Sequence, residues 1–488
     1  MLLTLSIIVP IILGIFLLLT GNDNRALYTK WAALLSSLAS FVVTLFLICG
    51  FNKNSAEMQF VEKHKILDLL PINYYLGIDG ISIWLIILTS FITCLIIVAG
   101  WRVIEKHIAM YNACFLILSG LTIGAFSALD GILFYIFFEA TLIPMYLVIG
   151  IWGGPKRVYA AFKFFLYTLL GSLLSLVAII YLYNKTQSFE VLAWHDVSLT
   201  MQEQILIFLA FLFAFAVKIP MWPLHTWLPD AHVEAPTGGS MLLAAIMLKL
   251  GAYGLMRFAM PINPDASHEL SAYIITASLI AVIYIGLVAL VQTDMKKLVA
   301  YSSISHMGFV TLGFFLFNSW GIAGGLVQMI SHGFVSAAMF YCIGVLYDRV
   351  HSRNIADYGG VVNVMPKFAA FSLLFAMANC GLPATSGFVG EFMVIIGAVK
   401  YSLWIGLLAG LSLVLGAAYS LWMYKRVIFG KIIHDNIKEL TDITSREFLI
   451  LLILAIAVLF MGLYPKYFTD FMMPSIDKLV QHLTHTKL

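Results

Sequence analysis

Long apolar stretches separated by short polar connections make up most of the sequence. A membrane-spanning helix needs about 20 mostly apolar residues, and about fourteen stretches reach that length. These runs are continuous and do not alternate with polar residues as barrel strands do. The candidate spans lie near 2–20, 31–51, 79–101, 109–128, 130–151, 158–183, 204–228, 236–260, 269–292, 298–317, 321–347, 368–399, 402–429 and 446–465. We therefore predict an all-α, polytopic membrane protein with one integral membrane domain, residues 1–488.

Two of these spans, the seventh and the twelfth, are interrupted by helix-breaking residues. Proline removes a backbone donor and clashes with the preceding turn, so each span should form a discontinuous helix. The interrupting residues are Pro220, Pro223 and Pro229 in the seventh span, and Gly381, Pro383 and Gly387 in the twelfth. Broken helices at matching positions of two halves are typical of inverted-repeat transporters. We predict inverted five-helix repeats over 109–260 and 269–429; the alternative is that the prolines only kink helices.

Composition excludes several classes of protein. Hydrophobic residues make up 61% of the 488 residues and charged residues 11%, whereas a soluble chain has about 45–50% and about 25%. A soluble enzyme is therefore excluded. The net charge is only +3, and no basic run is typical of a nucleic-acid-binding surface. The five cysteines form no CxxC pair, and no GxGxxG or Walker motif is present. We expect no metal, nucleotide, flavin or iron–sulfur site in this chain.

The positions of lysine and arginine predict the orientation. They are concentrated in the loops of one side, which we assign to the cytoplasm or matrix. An even number of spans then places both ends of the chain on the opposite side, whose loops we expect to include Arg257. The first residues have no charged segment and no clear small-residue cleavage site. We interpret 2–20 as a retained helix and not as a signal peptide.

Six ionisable residues inside apolar spans are the candidate functional residues. A charge at the bilayer centre costs at least about 2.5–3.5 kcal/mol, so such residues usually have a function. They are Glu139, Lys218, Lys249, His306, His332 and Glu391. Glu139 and Lys218 form a candidate titratable pair, in which movement of one partner changes the proton affinity of the other. The alternative is an ion pair that only fixes helix packing.

The remaining four residues suggest a proton path. Lys249 lies far from both ends of its span, so a relay site is favoured over a lysine that extends to the membrane surface. His306 and His332 occur in adjacent spans among serines, which favours a hydrated relay over two histidines buried only for packing. Glu391 follows the second break and is either an exit-side proton acceptor or a cap of the restarted helix.

The segment HTWLPDAHVE carries four potential metal ligands, His225, Asp230, His232 and Glu234. A metal site is considered, but the segment is broken by proline and lies near a membrane face. We instead expect it to line a water-filled entrance.

The segments that contain these residues resemble one family. YLGIDGIS, FFEATLIPMYLVIGIWG, FAVKIPMWPLHTWLPDAHVEAPT, DMKKLVAYSSISHMG and GLPATSGFVGEF are similar to the antiporter-like subunits of proton-pumping NADH:quinone oxidoreductase, respiratory complex I. The resemblance extends over nearly the whole chain and is greatest to the chain 4, or subunit M, group. It implies fourteen helices, two inverted repeats and a hydrated charged axis at mid-membrane.

The resemblance also implies roles and partners. Glu139 would couple to a neighbouring subunit and pair with Lys218, which would take a proton entering through the broken seventh helix. Lys249 would pass the proton on, and His306 and His332 would carry it towards Glu391. NADH, flavin, iron–sulfur clusters and quinone would belong to other subunits. The partners would be other membrane-arm subunits and the lipid bilayer of a bacterial inner membrane or a mitochondrial inner membrane.

Two alternatives remain at this level. The first is a subunit of a related multi-subunit cation/proton antiporter or of a membrane-bound hydrogenase. The second is a non-transporting membrane scaffold, for which neutralising Lys218 or Lys249 would leave proton flux unchanged.

Overall fold

Transmembrane helices dominate the fold, as predicted. The structure, a computed structural model, describes residues 1–65, 71–432 and 434–488. Within these residues, twelve helices are long and apolar enough to cross a membrane. The predicted span 298–317 coincides with a further helix, Met295–Phe314, and the predicted span 368–399 with a helix in two segments. The all-α, polytopic prediction is confirmed.

The helices are numbered in chain order. The first half contains α1 (Leu2–Thr20), α2 (Asp23–Gly50), α3 (Ile83–Val103), α4 (Ile108–Ser127), α5 (Gly131–Trp152), α6 (Arg157–Thr186), α7 (Val191–His195), α8 (Met201–Lys218), α9 (Trp227–Glu234) and α10 (Thr237–Ile262). The second half contains α11 (Pro264–Glu269), α12 (Ser271–Leu290), α13 (Met295–Phe314), α14 (Ser319–Val350), α15 (Pro366–Asn379), α16 (Ser386–Tyr401), α17 (Leu403–Ile428), α18 (Asp435–Lys438), α19 (Ser445–Leu463) and α20 (Pro465–Thr484).

Both predicted helix breaks are present. The seventh span is divided into α8 and α9, and the twelfth into α15 and α16. At the second break Gly381 has a φ of +74°, a left-handed conformation that glycine adopts without steric cost. The Gly381 and Leu382 amides donate to the carbonyls of Ala378 and Met377 at 3.2 and 3.0 Å. These two bonds form a Schellman motif that satisfies the last carbonyls of α15.

Two helices lie at the centre of the molecule. The most apolar 18-residue segments of α10 and α14 are completely buried. The corresponding segments of α1, α2 and α17 are only about one third buried and expose large apolar side chains. The outer helices therefore present the surface expected to contact lipid, and α10 and α14, which carry Lys249 and His332, are enclosed by protein.

One face carries structure that the hydropathy pattern did not predict. An antiparallel hairpin, β1 (Gln59–Lys65) and β2 (Asn73–Ile78), lies in the predicted connection 52–78. Helix α20 follows the last span and packs on this region, where Ser475 Oγ accepts the Gly80 amide at 3.0 Å. Leu3 bonds to β1 through Glu62 at 3.0 Å. We call the side formed by β1, β2, α7, α11 and α20 the terminal face, because both ends of the chain lie there.

Candidate functional site

A contact between the two central helices forms the middle of the site. Lys249 Nζ on α10 lies 2.7 Å from His332 Nδ1 on α14 and 2.5 Å from the carbonyl oxygen of Ala244. Lys249 and His332 are both buried. A lysine offers donors only, and a neutral imidazole nitrogen offers either one donor or one acceptor. At this distance the Lys249 ammonium donates a hydrogen bond that a neutral His332 Nδ1 accepts.

Local helix geometry supports the position of Lys249. Residues Leu243–Met247, one turn before it, form a π-helical turn. Such turns shift the backbone hydrogen-bond pattern and occur often at functional sites. The Lys249 ammonium reaches back to the carbonyl of Ala244, five residues earlier, so a buried lysine obtains a backbone acceptor inside its own helix.

The polar contacts continue from His332 towards α16. The rings of His306 and His332 have centroids 5.7 Å apart. His306 Nδ1 lies 3.1 Å from Glu391 Oε1. Gln328 Nε2 lies 3.3 Å from His306 Nδ1 and 3.4 Å from Glu391 Oε1. The structure thus brings together four predicted residues, Lys249, His332, His306 and Glu391, which we call the central relay.

The position of Glu391 distinguishes its two predicted roles. Helix α16 begins at Ser386, and Glu391 lies in its second turn, buried and facing His306. The N-cap residue is Thr385, whose side chain makes no capping bond. The capping interpretation is wrong, and the contact with His306 leaves the role of proton acceptor as the remaining hypothesis.

Glu139 and Lys218 approach each other without forming a direct ion pair. Lys218 Nζ donates to the carbonyl of Phe138 at 3.3 Å and lies 3.4 Å from Thr141 Oγ1. Among the residues that the structure describes, Glu139 has no ion-pair partner within 4.0 Å, and its Oε1 is buried without a hydrogen bond. Lys218 therefore binds the backbone of the helix that carries Glu139, and the titratable pair of Glu139 and Lys218 stays a prediction.

Glu139 itself lies near the outer surface of α5. The neighbouring turns expose Ile136 by 53% and Ile143 by 60%. A carboxylate at this position is stabilised by the charge of Lys218, by a bound proton or by a partner outside this chain. No hydrogen bond between described residues joins Lys218 to Lys249, so the first pair is separate from the central relay in this conformation.

Three of the four candidate metal ligands of HTWLPDAHVE contact different partners. Asp230 pairs with Lys163 at 2.7 Å, Glu234 Oε2 accepts the Lys156 amide at 2.8 Å, and the His232 ring stacks on Phe340. In the described part of the chain, no three such side chains come together as they would around a metal.

A cavity of about 360 Å³ opens beside α9 on the face opposite the terminal face, and its wall includes Glu234, Lys296 and Arg353. Lys296 Nζ reaches in to the carbonyl of Ala235 at 2.7 Å. A polar cavity therefore lies at the end of the segment HTWLPDAHVE, which was predicted to line a water-filled entrance.

Sequence reasoning missed one residue at the site and misplaced another. Gln328 bridges His306 and Glu391, and its position four residues before His332, on the same helix face, was an available signal. Arg257 was assigned to a loop, and that assignment is wrong. It lies in α10, where its guanidinium pairs with Asp79 at 2.6 Å and both side chains are buried.

The comparisons with known proteins agree with this fold. Residues 128–416 match the family model described as NADH:quinone oxidoreductase/Mrp antiporter, TM, and residues 4–123 match the amino terminus of NADH-ubiquinone oxidoreductase chain 4. NADH-quinone oxidoreductase subunit M of Rhodobacter capsulatus is 48% identical over 93% of this chain and 90% of its own length. Chain 4 of Arabidopsis thaliana is 44% identical over 96% and 95%.

Solved structures share the architecture. A chain of respiratory complex I from Thermus thermophilus matches with a TM-score of 0.91 at 30% identity, over 99% of this chain and 100% of that chain. A chain of the Mrp complex from a Dietzia species matches with a TM-score of 0.83 at 20% identity, over 99% and 55%, which shows the fold alone. The protein is a multi-pass membrane protein of the antiporter-like class. More narrowly, it belongs to the family of NADH-quinone oxidoreductase subunit M and its mitochondrial counterpart, chain 4.

Proposed function

We propose that this chain is a membrane-arm subunit of an NADH:quinone oxidoreductase and carries protons along its buried Glu/Lys/His axis. The observation that supports the proposal most directly is the central relay. Lys249, His332, His306 and Glu391 form a path in which each titratable group faces the next across α10, α14, α13 and α16. A packing role alone needs no such series, since apolar or small residues pack membrane helices without the cost of burying charge.

The proposed proton path runs from the cavity beside α9 to Glu391. A proton would enter from the cavity beside α9, reach Lys218 and Lys249 in turn, and cross to Glu391 through the two histidines. The gap between Lys218 and Lys249 would have to be bridged by water or by movement of the lysine side chains. Movement of Glu139 relative to Lys218 would change the proton affinity of Lys218, because an opposite charge stabilises the charged form.

The redox chemistry would lie in other subunits. We propose that this chain holds no flavin, iron–sulfur cluster, metal or quinone of its own and that its partners are neighbouring membrane-arm subunits. Glu139, beside the exposed surface of α5, would face one of those neighbours. The membrane would be the energy-coupling membrane of a bacterium or a mitochondrion.

The experiment removes the middle of the central relay. In His332→Leu the complex should assemble, but Lys249 loses the ring that accepts its hydrogen bond, so proton pumping should fall to about a tenth or less. The measurement is NADH-driven proton uptake into membrane vesicles, normalised to assembled complex.

The matched control is His268→Gln, a histidine of α11 that binds the Leu483 carbonyl on the terminal face and lies outside the relay. It should pump normally. Normal pumping by assembled His332→Leu would remove the central relay from the mechanism and favour the scaffold alternative.

A further inference from the structure

A second polar cavity reaches α10 from the terminal face. Its volume is about 110 Å³, and its wall includes Asp79, His195, Met256, Arg257 and His482. Lys478 and Glu57 pair at 2.8 Å beside it, with both side chains more than half exposed. This cavity lies on the side opposite the entrance beside α9 and takes no part in the proposed path.

A line of polar side chains leads from this cavity towards the centre of the membrane. Lys249, Tyr253 and Arg257 are spaced four residues apart and therefore share one face of α10. Arg257 Nε donates to Tyr253 Oη at 3.3 Å. Two helical turns separate Arg257 from Lys249, about 12 Å along the axis. Without a barrier, this line would connect the central lysine to the terminal face.

Arg257 is a fixed positive charge in that line. A guanidinium keeps its proton at any physiological pH, and Asp79 holds it in place at 2.6 Å. His195, outside the spans, donates from Nε2 to the Arg257 carbonyl oxygen at 3.0 Å. Burial lowers the pKa of His195 to about 3, so its ring is neutral at pH 7. Fixed positive charges exclude protons and cations from narrow polar passages.

We propose that the Asp79–Arg257 pair is an electrostatic seal that prevents protons from passing between the terminal-face cavity and Lys249. A proton on Lys249 then has no direct route to the terminal-face cavity, and its forward route is through His332, His306 and Glu391. The direction of transport rests on the proposed function, but the seal itself is a property of the resting protein. A pair that served only to join the start of α3 to α10 would not need to lie between a cavity and the central lysine.

The test neutralises both partners together, because removing one would leave the other charge buried and unpaired. The intact complex carrying Asp79→Asn with Arg257→Gln is reconstituted in liposomes of phosphatidylethanolamine and phosphatidylglycerol without NADH. Passive proton conductance is measured under a potassium diffusion potential. We expect a rise of about tenfold or more per complex, since tenfold needs only about 1.4 kcal/mol of barrier.

Two controls separate charge from packing. Arg257→Lys keeps the positive charge and should keep the low proton conductance of the wild type. Arg349→Gln with Glu447→Gln neutralises another ion pair, which is partly buried, 2.8 Å apart and away from α10. This double variant should also keep the low proton conductance of the wild type. Raised proton conductance in either control would overturn the proposal. Unchanged conductance of the assembled Asp79→Asn, Arg257→Gln complex would overturn it as well. Since no turnover is measured, this outcome is independent of whether His332→Leu pumps.

A second measurement leaves the pair intact. In a background without the native cysteines, Leu192→Cys, in the cavity wall, should react with a charged, membrane-impermeant thiol reagent added at the terminal face. Tyr253→Cys, behind Arg257, should stay unlabelled. Labelling of Tyr253→Cys at the rate of Leu192→Cys would show that water passes the pair and would refute the seal.

Discussion

Each ionisable side chain inside the membrane has a specific polar neighbour that offsets part of its burial cost. Lys249 has His332 and a backbone carbonyl, Lys218 has the carbonyl of Phe138, and Glu391 has His306 and Gln328. Glu139 is the exception, with an unbonded oxygen beside an exposed surface. The charged groups therefore differ in how firmly they are held, and Glu139 is the one most open to a partner outside this chain.

Lys218 offers a test that separates a fixed charge from a proton carrier. An arginine keeps its charge because its pKa is above 12, so Lys218→Arg should reduce NADH-driven proton uptake to about a tenth or less if Lys218 must release a proton. If Lys218 is only a counter-charge, Lys218→Arg should retain most pumping.

Lys218→Met is the control, because it is similar in length and uncharged. Both variants should fail if Lys218 carries protons, and only Lys218→Met should fail if charge alone matters. Near wild-type uptake by assembled Lys218→Arg would exclude the carrier role. Size is the main confounding factor, since the larger guanidinium lies close to the break at Pro220.

The identity of the important residues could be predicted from the sequence, but their contacts could not. Lys249 and His332 stood out because ionisable groups are costly in apolar spans. Their contact joins residues 83 positions apart, a distance that no local pattern encodes. Arg257 was misplaced for the same reason: its partner Asp79 lies far away in the sequence, just before α3, and without that partner an arginine is expected outside the membrane.

At the scale of elements, the terminal face depends on a close contact between the start of α3 and helix α20. The Gly80 amide donates to Ser475 Oγ at 3.0 Å. A β-carbon on Gly80 would meet the backbone carbonyl of Phe471 at 2.0 Å. Since that neighbour is backbone and cannot rotate away, only glycine fits at this contact.

Gly80→Ala should therefore displace α20 from the terminal face. We expect the melting temperature of the purified complex to fall by several degrees, because a steric change of about 1–3 kcal/mol is typical of overpacking. Limited proteolysis should cut α20 earlier than in wild type. Gly410→Ala is the matched control, since a β-carbon there meets nothing within 4 Å. Equal behaviour of the two variants would show that α20 is not held by this contact.

The spans and their breaks were predictable because apolar length and proline are local signals. Hairpin β1–β2 and helix α20 were not, for the opposite reason. Strand β1 reads QFVEKHK, and α20 mixes charged and apolar residues, so neither contains a continuous apolar run. Both elements are stabilised by contacts with the membrane helices, which a search for apolar stretches does not detect.

At the scale of the whole molecule, the proposed function assigns proton transfer to this chain and the redox chemistry to partner subunits. We predict that the isolated subunit in detergent neither oxidises NADH nor binds flavin. The measurement is NADH oxidation and flavin absorbance of the purified chain beside the intact complex. Turnover comparable to that of the complex would contradict the assignment of redox chemistry to partner subunits.

The enclosure of α14 determines how the relay responds to its membrane. This helix has 32 residues and is about 48 Å long, whereas the hydrocarbon core is about 30 Å thick. Since its apolar segment contacts protein and not lipid, acyl-chain length does not set its tilt. Bilayers of different thickness would act on α1, α2 and α17 at the rim, while His332 and Lys249 keep their spacing.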